Sequence, residues 1–305
     1  MNGTGETRGE EALATEKFRA EPGSLYVVAT PIGNLRDLTL RALDVLRSVD
    51  VIRAEDTRVT AVLLAKYGIP TRARSLHRHN EARQVADVLD DLAAGRSVAL
   101  VSDAGTPGIS DPGARLVRAA LGAGHRVIPI PGANAAATAI SAAGLHAERF
   151  VFVGFLPPQA KARRELLETF APLPAALVIY EAPHRVAETL RELAAALDPA
   201  RSLTIARELT KAFETIAMLP LGDAGAWVAE DANRERGEFV LIVDAPPPPV
   251  QDRAMTDEAR RLLEVLLEEL PPARAARVAA KLTGLPREAL YEHASRASST
   301  RRDDA

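Results

Sequence analysis

Short apolar runs alternate with amphipathic stretches along most of the chain. Continuous apolar runs such as Leu25–Ala29 and Ser97–Val101 predict buried strands, and apolar residues that recur every three or four positions predict helices at 37–48 and 81–94. Strands that are separated by single helices form a mostly parallel sheet with right-handed crossovers. The pattern therefore predicts an α/β domain over residues 23–146.

A second α/β pattern follows over residues 147–245 and ends at a run of four prolines. Such a run is a stiff, extended spacer, so we expect a linker over 246–255. Three short amphipathic patterns over 256–296 then predict a small helical domain of the helix-turn-helix kind. The polar ends, 1–22 and 297–305, are predicted to be tails, the first of them disordered.

Composition narrows the class of protein. The 305 residues are 47% hydrophobic and 26% charged, with a net charge of −3, which is typical of a globular protein. Cysteine is absent, which excludes disulfides, thiolate zinc sites and thiol nucleophiles, and we expect no metal. The uncharged run 127–145 contains two prolines and many alanines, so it predicts a strand, a turn and a helix rather than a membrane span. We expect a soluble, cytoplasmic protein without a membrane partner.

Loops that follow predicted strands are the places to look for chemistry, because ligands of open α/β sheets bind outside the carboxyl ends of the strands. Four such loops contain glycine or acidic residues, and they span 29–37, 54–58, 102–113 and 131–135.

The loop 102–113 is the most informative of the four. Its glycines let backbone amides approach a ligand, and Asp103 and Asp111 place carboxylates near the strand end. It lacks the glycine spacing of a dinucleotide site and the lysine of a P-loop. Two interpretations stay open at this point: a ligand site, or an ordinary turn in which Asp111 caps the following helix.

Seven motifs in order carry a resemblance to a known family. They are LYVVATPIGNLRD at 25–37, AEDTR at 54–58, SDAGTPGISDPG at 102–113, PGANAA at 131–136, EAPHRV at 181–186, RELTK at 207–211 and GEFVLIV at 237–243. Together they resemble the ribosomal RNA small subunit methyltransferase I family, the 16S rRNA (cytidine-2′-O)-methyltransferases of the tetrapyrrole methylase superfamily. The resemblance covers about residues 24–296.

This resemblance implies a two-domain tetrapyrrole-methylase-like (class III methyltransferase) α/β fold with a small C-terminal helical domain. It implies a homodimer that methylates a cytidine 2′-hydroxyl in 16S rRNA of the small ribosomal subunit, with S-adenosylmethionine held between the α/β domains. Where relatives have a Thr-Ser pair, this chain has Asn134 and Ala135, so a hydroxyl contact is lost. The positions that match cofactor-binding residues are Pro31, Ser102, Asp103, Ala104, Gly105, Ile109, Asn134, Ala135, Tyr180 and Leu209.

Methylation of a ribose hydroxyl benefits from a group that orients the hydroxyl or takes its proton, which contributes roughly 10²–10⁴ in rate. We expect Arg207 and burial to lower the pKa of Lys211 enough to make it a usable base. Two alternatives stay open: Asp56 caps the helix at Thr57, and His184 has a structural role at a helix start. The candidate catalytic residues are Lys211, Glu181, Asp56 and His184.

A local basic excess supports RNA binding in this acidic chain. The segment 53–83 has seven basic and three acidic residues, and a basic triplet recurs at helical spacing in the tail. The alternative is a solvated basic face. The predicted RNA-binding residues are Arg36, Arg58, Arg74, His77, Arg78, His79, Arg274, Arg277 and Lys281.

Two other functions compete with rRNA methylation. The first is a methylase of the same fold that acts on a tetrapyrrole or another small molecule, which the basic segment and the helical tail disfavour. The second is a non-enzymatic helix-turn-helix protein that binds nucleic acid. Ten basic and ten acidic residues over 251–305 disfavour that second reading.

Overall fold

A computed structural model describes residues 18–76, 81–246 and 257–303, with the side chains of 81–83 and 296–303 excepted. The chain divides after Ala245 into two compact units. The expected positions of His77, Arg78 and His79, most of the predicted linker and residues 1–17 lie outside the described residues. No helix within the described ranges is long and apolar enough to cross a membrane.

The first sheet has five parallel strands in the order β3-β2-β4-β1-β5. The strands are β1 (Leu25–Val28), β2 (Val51–Ala54), β3 (Ala73–Ser75), β4 (Val98–Val101) and β5 (Val127–Ile130). The accompanying helices are α1 (Leu40–Ser48), α2 (Thr57–Lys66), α3 (Glu81–Ala93), α4 (Ala114–Gly122) and α5 (Ala135–Ala142).

Both faces of this sheet are covered, which explains the continuous apolar runs. Successive residues of a strand point to opposite faces, so Leu25 and Tyr26 enter different apolar clusters. Tyr26 packs with Val45 and Leu46 of α1, whereas Leu25 packs with Leu92 of α3 on the other face. The sheet therefore places its strand ends, and the loops after them, at one fixed edge.

The second sheet is mixed, with strand order β6-β7-β10-β8-β9. Only β6 and β7 pair in parallel, because single helices join the strands there, whereas the remaining pairs are antiparallel. Its strands are β6 (Phe150–Phe155), β7 (Ala176–Glu181), β8 (Ser202–Arg207), β9 (Thr215–Pro220) and β10 (Phe239–Val243). Its helices are α6 (Ala160–Phe170), α7 (Val186–Ala196) and α8 (Ala224–Ala229).

Helix α5 joins the two sheets. Its alanines Ala136 and Ala139 are buried against Val178 of β7 and Val240 and Ile242 of β10. Because the fully buried positions of this helix are alanines, its backbone approaches the second sheet closely. The loop before α5 is therefore held at the border between the two halves.

The second compact unit is a three-helix cluster. Its helices are α9 (Asp257–Glu269), α10 (Pro272–Thr283) and α11 (Arg287–Asp303), and Leu263 and Leu290 pack with the alanines of α10 in its core. Helix α11 continues to Asp303, beyond the predicted start of the C-terminal tail at 297. At the other end of the chain, the Glu21 amide donates to the Tyr26 hydroxyl, so residues 18–22 of the predicted N-terminal tail pack against β1.

Candidate active site

A cavity of about 330 Å³ lies between the two sheets of the first unit. Loops after β1, β4 and β5 form one wall, and β6, β7 and β10 with the loop after β8 form the other. This volume lies in the range of small-molecule sites, and the lining is mostly apolar. We call it the larger cavity.

Backbone hydrogen bonds fix the glycine-rich loop beside the larger cavity. Thr30 and Gly105 exchange two backbone hydrogen bonds, of 2.8 and 3.0 Å, and the Ser102 hydroxyl donates to the Gly105 carbonyl at 3.2 Å. Gly105 has φ +79°, a left-handed conformation that glycine adopts without strain. A side chain there would meet Ile32, so the absence of a Cβ keeps space in the larger cavity.

The start of α5 forms the next part of the wall. The Asn134 side chain accepts a hydrogen bond from the Ala137 amide at 3.0 Å and caps the helix. The Tyr180 hydroxyl of β7 accepts one from the Ala136 amide, also at 3.0 Å. Burial raises the pKa of Tyr180, so its hydroxyl stays protonated at neutral pH.

The ten predicted cofactor positions divide between two cavities. Pro31, Ser102 and Asp103 line a second cavity of about 260 Å³, which we call the smaller cavity. The loop turns between Asp103 and Ala104, and contact of these three residues with the cofactor stays a prediction. Seven line the larger cavity: Ala104, Gly105, Ile109, Asn134, Ala135, Tyr180 and Leu209.

Several residues of the larger cavity were not predicted from the sequence as cofactor-binding positions. Asp111, Phe155 and Glu238 are three of them. The alternative that Asp111 caps the following helix is wrong, because the N-cap position of α4 is Gly113, without a side-chain cap. The acidic residue in a glycine-rich loop was a usable signal for Asp111, whereas nothing in the local sequence separates Phe155 from an ordinary strand residue.

Glu181 lines the larger cavity but is buried and fully engaged in the fold. Its carboxylate accepts hydrogen bonds from the Ala182 amide at 2.8 Å and the Thr189 hydroxyl at 2.6 Å, and it lies 3.4 Å from Arg185. These contacts tie β7 to α7. They give Glu181 a structural role that needs no substrate.

Lys211 forms ion pairs with Glu208 and Glu238, each at 2.8 Å. Burial alone would lower its pKa, but the two carboxylates outweigh burial and raise the pKa of Lys211 above its ordinary value. The expectation of a lowered pKa was therefore wrong, because the nearby Glu208 and Glu238 from a distant part of the chain both pair with Lys211. Lys211 is therefore a stable cation, paired with Glu238, which lines the larger cavity.

Asp56 and His184 do not line the larger cavity, where a catalytic base is expected. Asp56 caps α2 and pairs with Arg58, whose hydrogen bonds lower the pKa of Asp56 to about 2. A carboxylate with so low a pKa is a weak base, so the structure supports the capping alternative. His184 is exposed in the loop before α7 and does not line the larger cavity.

The described RNA-binding candidates are all exposed. Arg36, Arg58 and Arg74 lie in or next to the loops after the strands of the first sheet, and Arg58 is paired with Asp56. In the helical unit, Arg274, Arg277 and Lys281 lie on α10 opposite its buried alanines. Among the described residues, no group of three or more histidines and acids could hold a metal ion.

Comparison with known proteins identifies the family. Residues 24–225 match the family of Tetrapyrrole (Corrin/Porphyrin) Methylases, and residues 253–297 match the RsmI C-terminal HTH domain. The protein "Ribosomal RNA small subunit methyltransferase I" of Escherichia coli O157:H7 is 48% identical over 89% of this chain and 94% of its own length. The chain belongs to the ribosomal RNA small subunit methyltransferase I family. A relative of the same name from Xylella fastidiosa (strain Temecula1) is 50% identical over 88% of this chain and 98% of its own length.

Solved methylase structures confirm the predicted fold of this family member. A cobalt precorrin-4 methyltransferase matches with a TM-score of 0.56 at 16% identity, covering 72% of this chain and 95% of its own. The methyltransferase CobJ also gives 0.56, at 20% identity, covering 73% and 94%. The family matches confirm the predicted resemblance and the helical C-terminal domain, and together with these structures they confirm the two-domain α/β fold.

The hydrogen bond between Tyr180 and α5 gives a stability prediction. Tyr180→Phe leaves the amide of the buried Ala136 without its acceptor, which we expect to cost about 1–2 kcal/mol of unfolding free energy. Tyr26→Phe is a matched control, because it removes an acceptor from the exposed Glu21 amide, which water can replace. Urea unfolding measures both. Equal losses in the two variants would contradict the role given to Tyr180.

Proposed function

We propose that this protein transfers a methyl group from S-adenosylmethionine to the 2′-hydroxyl of a cytidine in 16S rRNA of the small ribosomal subunit. The observation that carries the proposal is the small-molecule cavity between the two sheets, found in a chain with close relatives of known name. These relatives are close to half identical over nearly their full length, and they are named as ribosomal RNA small subunit methyltransferases. Such an enzyme works where ribosomes are, in the cytoplasm.

The residues of the larger cavity fit the cofactor. When bound, S-adenosylmethionine supplies a methyl group on a positively charged sulfur, and its transfer to a hydroxyl leaves a neutral thioether and releases the hydroxyl proton. Gly105 and Ala135 from one half and Tyr180 and Leu209 from the other would hold it. The space that Gly105 leaves open would admit a ligand beside the backbone of its loop.

Two features of the larger cavity would assist the transfer. The apolar side chains of Ile109, Phe155 and Leu209 line the cavity, and a bound cofactor that covers them would exclude water, which strengthens electrostatic interactions there. Lys211 holds Glu238 at the rim through their ion pair. We infer that Lys211 acts as a positioning cation at this rim rather than as the base.

Substitutions of Lys211 test whether this residue acts as a positioning cation or as a general base. Arginine keeps the charge but is not deprotonated in proteins, so we expect Lys211→Arg to retain kcat/KM within about tenfold. Lys211→Met leaves Glu208 and Glu238 unpaired and is expected to lose roughly tenfold more. The pH–rate profile of Lys211→Arg should keep the wild-type shape. If Lys211→Arg is as inactive as Lys211→Met, Lys211 is the base after all.

We also infer that the protein is a homodimer. Strand β9 is an edge strand, and Phe213, Ile216 and Met218 at this edge are 74%, 44% and 56% exposed. Such an apolar edge favours a contact with another chain. We expect light scattering to give twice the 32.6 kDa chain mass, and Ile216→Lys with Met218→Lys to halve the measured mass. A monomeric wild type would overturn this inference.

The proposed reaction is tested by mapping ribose methylation in 16S rRNA. Cells without the gene should lack one 2′-O-methylcytidine that cells with the gene contain. The purified protein should restore it on isolated small subunits, with labelled methyl from the cofactor. Transfer to porphyrinoids but not to these subunits would support the small-molecule alternative.

A further inference from the structure

The larger cavity is open to solvent, and the exposed residues of its lining mark the opening. Ile109 and Ser110, in the loop after β4, are exposed on one wall. Phe155 of β6 and Pro183, in the loop after β7, are exposed on the other. A large acceptor such as RNA can therefore present one of its groups at this opening while the rest of it stays outside the cavity.

A strained turn of the backbone lies at the opening. Ser110 has φ +66°, a left-handed conformation that is unfavourable for a residue other than glycine. The tip of its loop meets β6, because a Cβ added to Gly154 would lie 3.2 Å from the Ser110 Oγ. Strain of this kind persists where the surrounding structure maintains it, and it is common at functional sites. The turn places the next residue, Asp111, in the lining of the larger cavity.

Three carboxylates line the described part of the larger cavity, in different surroundings. Glu181 is buried and connects β7 to α7, and Glu238 forms an ion pair with Lys211 at 2.8 Å. Asp111 is half-buried beside the opening. Burial raises the pKa of Tyr180 and the charge of Asp111 adds to this effect, so the Asp111 carboxylate lies near a side chain of the opposite wall. Asp111 is therefore positioned between the opening and the interior of the cavity.

We propose that Asp111 is the catalytic group that accepts the proton of the ribose hydroxyl. This proposal rests on the proposed function and deepens it, because it names the residue that receives the acceptor. The hydroxyl enters through the opening and donates a hydrogen bond to the Asp111 carboxylate. The ribose oxygen then forms its bond to the methyl carbon as the carbon–sulfur bond breaks with its electron pair left on sulfur. The hydroxyl proton passes to Asp111 and from there to water.

A carboxylate is a sufficient base for this step. A free ribose hydroxyl holds its proton tightly, but the oxygen becomes strongly acidic as its bond to the methyl carbon forms. The proton therefore moves to the carboxylate late in the transfer, and an ordinary aspartate can accept it. Tyr180 does not replace Asp111 in this role, because its hydroxyl keeps its own proton at neutral pH.

Substitutions of Asp111 distinguish a group that accepts a proton from one that only accepts a hydrogen bond. Asp111→Asn keeps the size of the side chain and one acceptor oxygen but cannot take the proton. We expect its single-turnover rate on small subunits to fall at least about a hundredfold. Asp111→Glu keeps the carboxylate and should stay within about tenfold of the wild-type rate. Asp44→Asn is the matched control and should match wild type, because Asp44 is exposed on α1 and lines neither cavity.

Binding measurements provide a readout besides activity. The calorimetric Kd of Asp111→Asn for the cofactor and its filter-binding Kd for small subunits should both stay within about threefold of wild type. A loss of cofactor affinity as large as the loss of rate would overturn the proposal, because Asp111 would then hold the cofactor. An Asp111→Asn variant that keeps its rate, or an Asp111→Glu variant no faster than Asp111→Asn, would overturn the catalytic role alone. A wild type that never methylates small subunits would overturn the proposed function, and this inference with it.

Discussion

Gly105→Val is expected to lower the affinity for S-adenosylmethionine by roughly a hundredfold, about 3 kcal/mol. Gly105 has φ +79°, where a β-branched residue is strongly disfavoured. Its new Cβ would lie 3.4 Å from Ile32, and the added methyl groups need space beside the larger cavity. The loop then has to shift away from Thr30, which holds it by two backbone hydrogen bonds.

Gly124→Val is the matched control, because it introduces the same backbone strain away from the cofactor site. Gly124 has φ +80°, almost the same conformation, but nothing lies within 4 Å of the Cβ that a side chain would add. Both variants should lose about 1–2 kcal/mol of stability from the left-handed backbone. Calorimetry should find cofactor binding impaired only in Gly105→Val. Equal affinities for the two variants would show that Gly105 does not shape the cofactor site.

Much of the fold could be predicted because its signals are local. The buried strands of the first sheet appear in the sequence as continuous apolar runs. Helix α10 appears as small and basic residues at helical spacing after Pro271 and Pro272. Two short elements could not be predicted, because a local signal is visible only when its pattern repeats. β3 has three residues of low hydrophobicity, and α8 has six, so each contains fewer than two periods of its pattern.

The site was harder to predict because it depends on contacts between distant residues. The sequence places Asp103 and Gly105 in one loop, but only the pairing of Gly105 with Thr30 sends them into different cavities. The pKa of Lys211 also depends on a residue that is distant in the sequence. Its neighbour Arg207 suggests a lowered pKa, whereas the carboxylate of Glu238, brought beside it by β10, contributes to the opposite shift.

Charge reversal on α10 is expected to weaken RNA binding strongly. Arg274, Arg277 and Lys281 share the exposed face of the helix, opposite the buried Ala275 and Ala279. Because contacts to phosphates release counterions, changing all three residues to glutamate should lower the affinity for small subunits at least about a hundredfold at moderate salt. Filter binding measures this affinity, and the calorimetric cofactor affinity should stay unchanged.

The salt dependence decides whether these cations touch phosphates or only raise the general potential. Three lost phosphate contacts should make the slope of log K against log salt shallower by about two to three. Changing the exposed Lys161, Arg164 and Arg191 of α6 and α7 to glutamate alters the net charge equally, so it is the matched control. If the control weakens binding and flattens the slope as much as the α10 variant does, the helical unit supplies only its net charge. If only the α10 variant changes the slope, its face contacts the RNA backbone directly.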